Sequence, residues 1–204
     1  MSEHDHYLQA RDKELDAVRE NYNPRRLKNL GVEITGEDLI QLPCLKWTLH
    51  FRLDPFEAVV LPDAEPLDVI WQVLALDYLN ASIPPPTREF LSFTDFSELR
   101  TYREAFEGRV TGRLTHTAGE TAEGLEKAAR ECGGKRQGKN PPLWVFDFFP
   151  LFPLQVVRHP GDEELPPTCK ELFPDNAVQL LTTESVIVAA EKLVASLGGR
   201  GPAS

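Results

Sequence analysis

Apolar and polar residues alternate most cleanly between Leu45 and Leu53. Leu45, Trp47, Leu49, Phe51 and Leu53 are apolar, and Lys46, Thr48, His50 and Arg52 between them are polar. That period predicts a strand with one buried face. Phe56 to Leu61 follows an Asp54-Pro55 turn, and Val32 to Leu42 precedes it as a hairpin around Gly36-Glu37-Asp38. Connections this short leave no room for crossovers, so the pattern predicts an antiparallel meander.

Helical spacing takes over on either side. Leu8, Leu15, Val18 and Tyr22 recur through a charged background, predicting an amphipathic helix that Pro24 ends or kinks. A short turn from Arg25 to Leu30 closes on Gly31, placed as a C-terminal cap. Leu67, Ile70, Trp71, Leu74 and Tyr78 share one helical face, with Pro66 in the first turn. Pro84-Pro85-Pro86 is a stiff connector. Beyond Leu91 to Phe96, a helix is expected from about Ser97 to His116, with Tyr102, Phe106, Val110 and Leu114 as its apolar stripe.

A further helix, Thr121 to Cys132, is expected to bury Leu125, Ala128, Ala129 and Cys132 and to stop at Gly133-Gly134. Lys135 to Lys139 reads as a basic loop before Asn140-Pro141-Pro142. Strands are predicted near Leu143–Phe149 and Leu154–Arg158, and a last helix capped by Thr182 or Thr183 carries Ile187, Ala190, Val194 and Leu197. Helices and strands come in blocks rather than in alternation. The fold class is therefore α+β: an antiparallel sheet of about four to six strands packed with about four to five helices. Residues 7–197 are expected to form this single domain, between a flexible N-terminus (1–6) and a disordered tail (198–204).

The 204 residues suffice for one sizeable core. A formal net charge of -10 repels phosphate backbones and anionic lipid, which argues against nucleic-acid and membrane partners. The N-terminus is charged from its third residue, unlike a signal peptide, and no run approaches the ~18 apolar residues of a membrane span. Cys44, Cys132 and Cys169 are scattered, with no C-x-x-C pair. Such spacing excludes a zinc ribbon or an iron–sulfur centre within this chain and fits a reducing, cytoplasmic setting. No G-x-S-x-G, H-E-x-x-H or phosphate-cradling glycine motif is present.

Candidate chemistry concentrates after Leu143. Gly161-Asp162-Glu163-Glu164 groups three carboxylates that could offer hard oxygen ligands to a divalent ion, with His159 beside them. The plainer reading is an acidic turn whose carboxylates bond nearby amides. Asp147 lies in the apolar run Trp-Val-Phe-Asp-Phe-Phe, where burial would raise its pKa, although alternation can equally turn it to solvent. Phe149, Pro150, Phe152 and Pro153 either pack in the core or wall an apolar pocket or partner groove. Cys169, after Pro-Pro-Thr, is placed in a loop where it could be exposed.

Several segments taken together carry a resemblance. They are Leu27-x-x-Leu30-Gly31-Val32, Leu74 to Leu79 before the Pro-rich turn, Phe90-x-Ser92-Phe93-x-x-Phe96 and Gly112-x-Leu114. Gly133-Gly134, Phe149-Pro150-x-x-Pro153-Leu154, Gly161-Asp162-Glu163-Glu164-Leu165-Pro166 and Leu172-Phe173-x-Asp175 complete the set. The chain resembles, from about Tyr7 to Leu197, the family of the domain of unknown function numbered 3786. The resemblance implies a setting in anaerobic bacteria and archaea, where some members carry an iron–sulfur domain like that of corrinoid iron–sulfur proteins. This chain lacks the cysteines for such a centre.

Three readings follow. The first is a cytosolic accessory or binding protein, associated with corrinoid or one-carbon metabolism. It would dock a protein partner or small molecule at Asp147, Phe149, Pro150, Phe152, Pro153, His159 and the Asp162–Glu164 turn. The second is a metal-dependent enzyme using His159, Asp162, Glu163, Glu164 and Asp147 around a divalent ion. The third is a structural subunit of a complex.

Overall fold

The computed structural model describes residues 3–36, 39–138 and 141–203. The expected turn residues Glu37 and Asp38 and the loop residues Lys139 and Asn140 lie outside the described residues. The fold is α+β and antiparallel throughout, with the strands divided between two five-stranded sheets rather than gathered in one.

Helix α1 (Glu3–Glu20) starts inside the stretch expected to be flexible and buries Leu15 and Val18. Asn23 caps α2 (Pro24–Asn29), its side chain accepting from the Arg25 and Arg26 amides. Gly31 follows at φ +80°, and a Cβ there would collide with Pro150. Only glycine meets both demands.

The first sheet is the predicted meander: β1 (Glu33–Thr35), β2 (Leu39–Cys44), β3 (Trp47–Leu53), β4 (Phe56–Leu61) and β5 (Glu65–Pro66), in sequence order. On β3, Leu49, Phe51 and Leu53 are buried, as the alternation requires. Leu45 is not part of that strand. It sits in the two-residue turn closing the Cys44–Trp47 pair, at φ +53°. Helix α3 (Val69–Asn80) begins after Asp68, whose carboxylate accepts from the Ile70 amide. Pro66, expected in the first helical turn, belongs instead to β5. Trp71, Leu74, Ala75, Leu76, Tyr78 and Leu79 are all buried, because α3 is enclosed on nearly every side.

The second sheet has the order β6 (Phe90–Ser92), β10 (Thr168–Pro174), β9 (Phe152–His159), β8 (Leu143–Phe149), β7 (Lys135–Gln137). Strand β7 corrects the expectation of a basic loop there. Strand β10 was not anticipated from the sequence. A bulge between Asp147 and Phe149 breaks the β8–β9 register. Successive residues on a regular strand point to opposite faces, and the bulge lets Phe148 and Phe149 both be fully buried. Trp71 stacks on Phe148 at 5.5 Å and Tyr78 packs on Phe149 at 4.8 Å, which binds α3 to this hairpin. The sheets are also joined where the Leu45 amide donates to the Asp147 carbonyl at 2.9 Å.

A helical stretch from Ser97 to Gly119 covers the inner face of the second sheet. It is not one regular helix. A 3₁₀ segment (Ser97–Tyr102) leads into α4 (Arg103–Phe106), then wide π turns at Glu107–Gly112 and Thr115–Gly119. Phe106, Val110 and Leu114 are buried at strict four-residue spacing. On a 3.6-residue helix that spacing drifts by about 40° per step. The wider i→i+5 turns absorb the drift and keep the stripe on one face. Tyr102, expected on that stripe, is 44% exposed, because it precedes the widening.

Helix α5 (Ala122–Glu131) is capped by Thr121, short α6 (Ala177–Leu180) follows β10, and α7 (Thr183–Leu197) is capped by Thr182. Beyond α7, Ala203 bridges to Leu67, and the Pro202 carbonyl accepts from the Asp68 amide. One hydrophobic cluster draws residues from α1 through α7 and from both sheets. No helix among the described residues is long and apolar enough to cross a membrane.

Candidate functional site

The residues singled out from the sequence do not come together. Asp147 is on the solvent side of β8, where Lys135 Nζ meets its Oδ2 at 2.6 Å. It pairs in register with Pro153, whereas His159 is six residues further along β9 and pairs with Thr168. That separation is about 20 Å along the strand. His159 is exposed, as are Asp162, Glu163 and Glu164. Asp162 accepts from the Glu164 amide at 2.9 Å and the Leu165 amide at 2.8 Å, and these two donors hold its carboxyl below the usual carboxylate range. Among the described residues no group of three or more His, Cys, Asp or Glu side chains is placed to hold a metal ion.

Phe149 and Phe152 are fully buried. Pro150 and Pro153 instead line a groove of about 330 Å³ with Ile83 and the Pro84-Pro85-Pro86 connector. Asn176 closes its floor. Its Nδ2 donates to the Pro85 carbonyl at 2.8 Å, and its Oδ1, buried, has no hydrogen-bond partner among the described residues.

The chemically anomalous group is Glu171. Strand β10 turns Cys169, Glu171 and Phe173 inward, so a carboxyl occupies a core position and is 3% exposed. Neither of its oxygens has a hydrogen-bond partner among the described residues. Burial pushes its pKa well above the ordinary carboxylate value, and both oxygens are shut off from solvent. An unsatisfied buried carboxyl costs about 1–3 kcal/mol or more, and folds keep one chiefly where it has a task.

A cavity of about 320 Å³ opens beside it, lined by Ser92, Phe93, Thr94, Phe106, Thr111, Lys170 and Glu171, with Arg103 and Glu107 also on its wall. The topology accounts for the space. Strand β6 pairs with β10 only over Leu172–Pro174, ending at Ser92. Residues Thr168–Glu171 therefore have β9 on one edge and no strand on the other. The helical stretch fills that side in part: the Cys169 amide donates to Thr115 Oγ1 at 3.1 Å, and Gly119 lies so close that a Cβ would overlap Cys169 Sγ. Cys169 is thereby fully buried, correcting its expected exposure, and its thiol is pushed up to about 11.

The cavity wall is well braced. Phe93 and Phe106 stack at 3.8 Å between ring centroids, and Phe173 meets Phe106 edge-on at 5.9 Å. Ser92 donates from its amide and its hydroxyl to Asp95 Oδ2, at 2.9 and 2.6 Å. Arg103 Nε donates to Glu107 Oε1 at 2.9 Å, so the charges there largely cancel. Lys170 is exposed. The sequence carried one usable signal for this site, the alternation Cys169–Glu171–Phe173. The acidic residue at its centre disguises the inner face.

Two larger cavities, of about 430 and 490 Å³, lie along α3 and α7 and share Tyr7, Ile70 and Val188. Among their carboxylates, Glu191 keeps a buried Oε1 with no hydrogen-bond partner among the described residues, 3.7 Å from Arg109 Nη1, whereas two others are hydrogen-bonded. Asp77 accepts from the Thr182 amide and hydroxyl, both at 2.9 Å, and Asp68 caps α3 and faces Lys192. Size alone favours these clefts, whereas the perturbed group lies at the smaller one.

A family model, described as Domain of unknown function (DUF3786), matches residues 24–196. The match omits α1, which supplies part of the larger clefts, and includes every residue of the Glu171 cavity. No curated protein and no solved structure matches the chain.

Proposed function

We infer, for a chain that belongs to the DUF3786 family of domains of unknown function, a binding role in which a small organic molecule occupies the cavity beside Glu171. The observation that carries this reading is the cavity itself, which opens at the stretch of β10 that no strand covers, with the buried acid Glu171 behind its wall. A concave, largely apolar site with a few directed polar groups is the usual form of a small-molecule site. A volume of about 320 Å³ suits one or two rings and is far too small for a corrinoid. An association with corrinoid or one-carbon chemistry would therefore run through a partner protein.

The test is a fragment screen by ligand-observed NMR on the wild-type protein and on Thr111→Trp, which fills the cavity from the π-helical wall. Fragments that bind the wild type and lose binding to the variant support the reading. Hits that ignore the substitution would sink it.

A second reading is favoured by Asn176 Oδ1 in the proline-lined groove. An extended segment of a partner protein could donate a backbone N–H to that oxygen while packing apolar side chains on Pro150 and Pro153. Replacing Asp162, Glu163 and Glu164 by their amides tests whether the acidic turn takes part in such docking. Unchanged partner recovery would remove the turn from the docking surface.

A further inference from the structure

We propose that Asp77 anchors the ammonium group of a small organic amine whose apolar body lies in the cleft between α1, α3 and the start of α7. This site is separate from the cavity beside Glu171, and the inference stands independently of it. Asp77 lies in the last turn of α3 and is only 9% exposed. Its Oδ2 is fixed, accepting from the Thr182 amide and the Thr182 hydroxyl at 2.9 Å each. Its Oδ1 has no hydrogen-bond partner among the described residues and, unlike Oε1 of Glu191, is not sealed from solvent. The opening beside it is the cleft of about 430 Å³ that Asp77 lines. A nearly buried carboxylate held rigidly by one oxygen, with the other open to a cleft, is a preorganised acceptor.

The surroundings narrow the ligand. The ionisable side chains on the cleft are Glu14, Asp77 and Glu184 against Lys13 and His6, so the field there favours a cation. Ile70, Val73, Leu74 and Val188 add apolar wall, which suits a hydrocarbon or aromatic body. Thr182 already supplies both donors that Oδ2 can take, so one oxygen remains for the ligand. A compact ammonium needs one such acceptor, whereas a guanidinium is held best by both oxygens of a carboxylate at once.

Two other classes fit less well. Among the described residues no group of three or more His, Cys, Asp or Glu side chains is placed to hold a metal ion. An anion is what a helix N-terminus invites, but at α7 Asp77 and Glu184 already fill that role.

The probes are 2-phenylethylamine, its neutral isostere 2-phenylethanol and (2-phenylethyl)guanidine. They would be titrated by ligand-observed NMR into the wild-type protein, Asp77→Asn and Val188→Trp. Asp77→Asn keeps an oxygen for Thr182 and removes the charge, and Val188→Trp fills the cleft from α7 while leaving the carboxylate in place. The amine should bind the wild type, and its affinity should fall about 10- to 100-fold in Asp77→Asn, the range expected for loss of a hydrogen bond to a charged group. The alcohol should be weaker by a similar factor, the guanidine should bind no better than the amine, and Val188→Trp should abolish binding.

Equal affinity for amine and alcohol, or an amine that binds Asp77→Asn as it binds the wild type, overturns the assignment. So does amine binding that Val188→Trp leaves intact, or no binding of the amine at all. A clear preference for the guanidine overturns the single-oxygen contact. Should Asp77→Asn fail to fold, as judged by its amide NMR spectrum, the amine–alcohol comparison on the wild type and the Val188→Trp titration decide alone.

Discussion

Tyr78 Oη and the Leu151 amide meet at 3.1 Å, and the same hydroxyl donates to the Leu30 carbonyl at 2.6 Å. One side chain of α3 thus ties together the turn of the β8–β9 hairpin and the end of α2, inside the core. Tyr78→Phe would keep the ring on Phe149 and leave an amide and a carbonyl unpaired. The expected cost is about 1–3 kcal/mol in urea unfolding, with faster amide exchange at Leu151. A variant as stable as the wild type would mean that water replaces the hydroxyl.

Glu171 makes stability depend on pH in a definite direction. Burial raises its folded-state pKa above the unfolded value of about 4.3. The folded chain then holds a proton that the unfolded chain has released, so stability falls as pH rises above that value and levels off only past the folded pKa. Glu171→Gln removes this term while Arg103, Glu107 and Lys170 remain in both proteins. Urea titrations should place the two proteins together near pH 4 and show the variant ahead at pH 8 by an amount on the order of 1–3 kcal/mol. Parallel curves across that range would show that the carboxyl has found a partner.

Gly119 and Cys169 are packed against each other through the missing Cβ. Gly119→Ala should destabilise by about 1–3 kcal/mol, the usual penalty for overpacking. Adding Cys169→Ala removes the obstructing sulfur, so the double variant should cost less than the sum of the two single changes. Strict additivity would argue that the contact relaxes without strain.

The three cysteines are buried. Cys169 keeps its proton at neutral pH, because burial holds its thiol up at about 11. A chromogenic disulfide reagent should label none of them in the native protein and all three after denaturation. Rapid native labelling of Cys169 would show that the helical wall opens.

Asp162 organises its turn through the Glu164 and Leu165 amides, whereas Glu163 and Glu164 point to solvent. Asp162→Ala should speed proteolytic cutting between residues 160 and 167, and Glu163→Gln or Glu164→Gln should leave it unchanged. Equal sensitivity at all three positions would favour a shared ligand over a turn.

Much of the fold was legible where one physical rule dominates. The β3 alternation follows from burial of one side of a regular element, and the start of the last helix near Thr182 follows from capping chemistry. What escaped were elements whose pattern is interrupted. Strand β10 hides behind Pro166-Pro167 and carries a carboxyl where an apolar residue belongs. Lys135–Gln137 looks like a loop because an edge strand tolerates charge on all sides. The site was lost for the same reason. Sequence reasoning looks for carboxylates in clusters, and the informative one, Glu171, stands alone in the core.

The placement of the tryptophans makes the two kinds of cavity optically distinct. Trp71 lines the 490 Å³ cleft along α3 and α7, while the cavity beside Glu171 is lined by none of Trp47, Trp71 or Trp144. A compound entering that 490 Å³ cleft should shift or quench intrinsic emission through Trp71, and one entering beside Glu171 should leave that emission nearly unchanged. A single fluorescence cuvette can therefore report which of the two places a newly found ligand occupies.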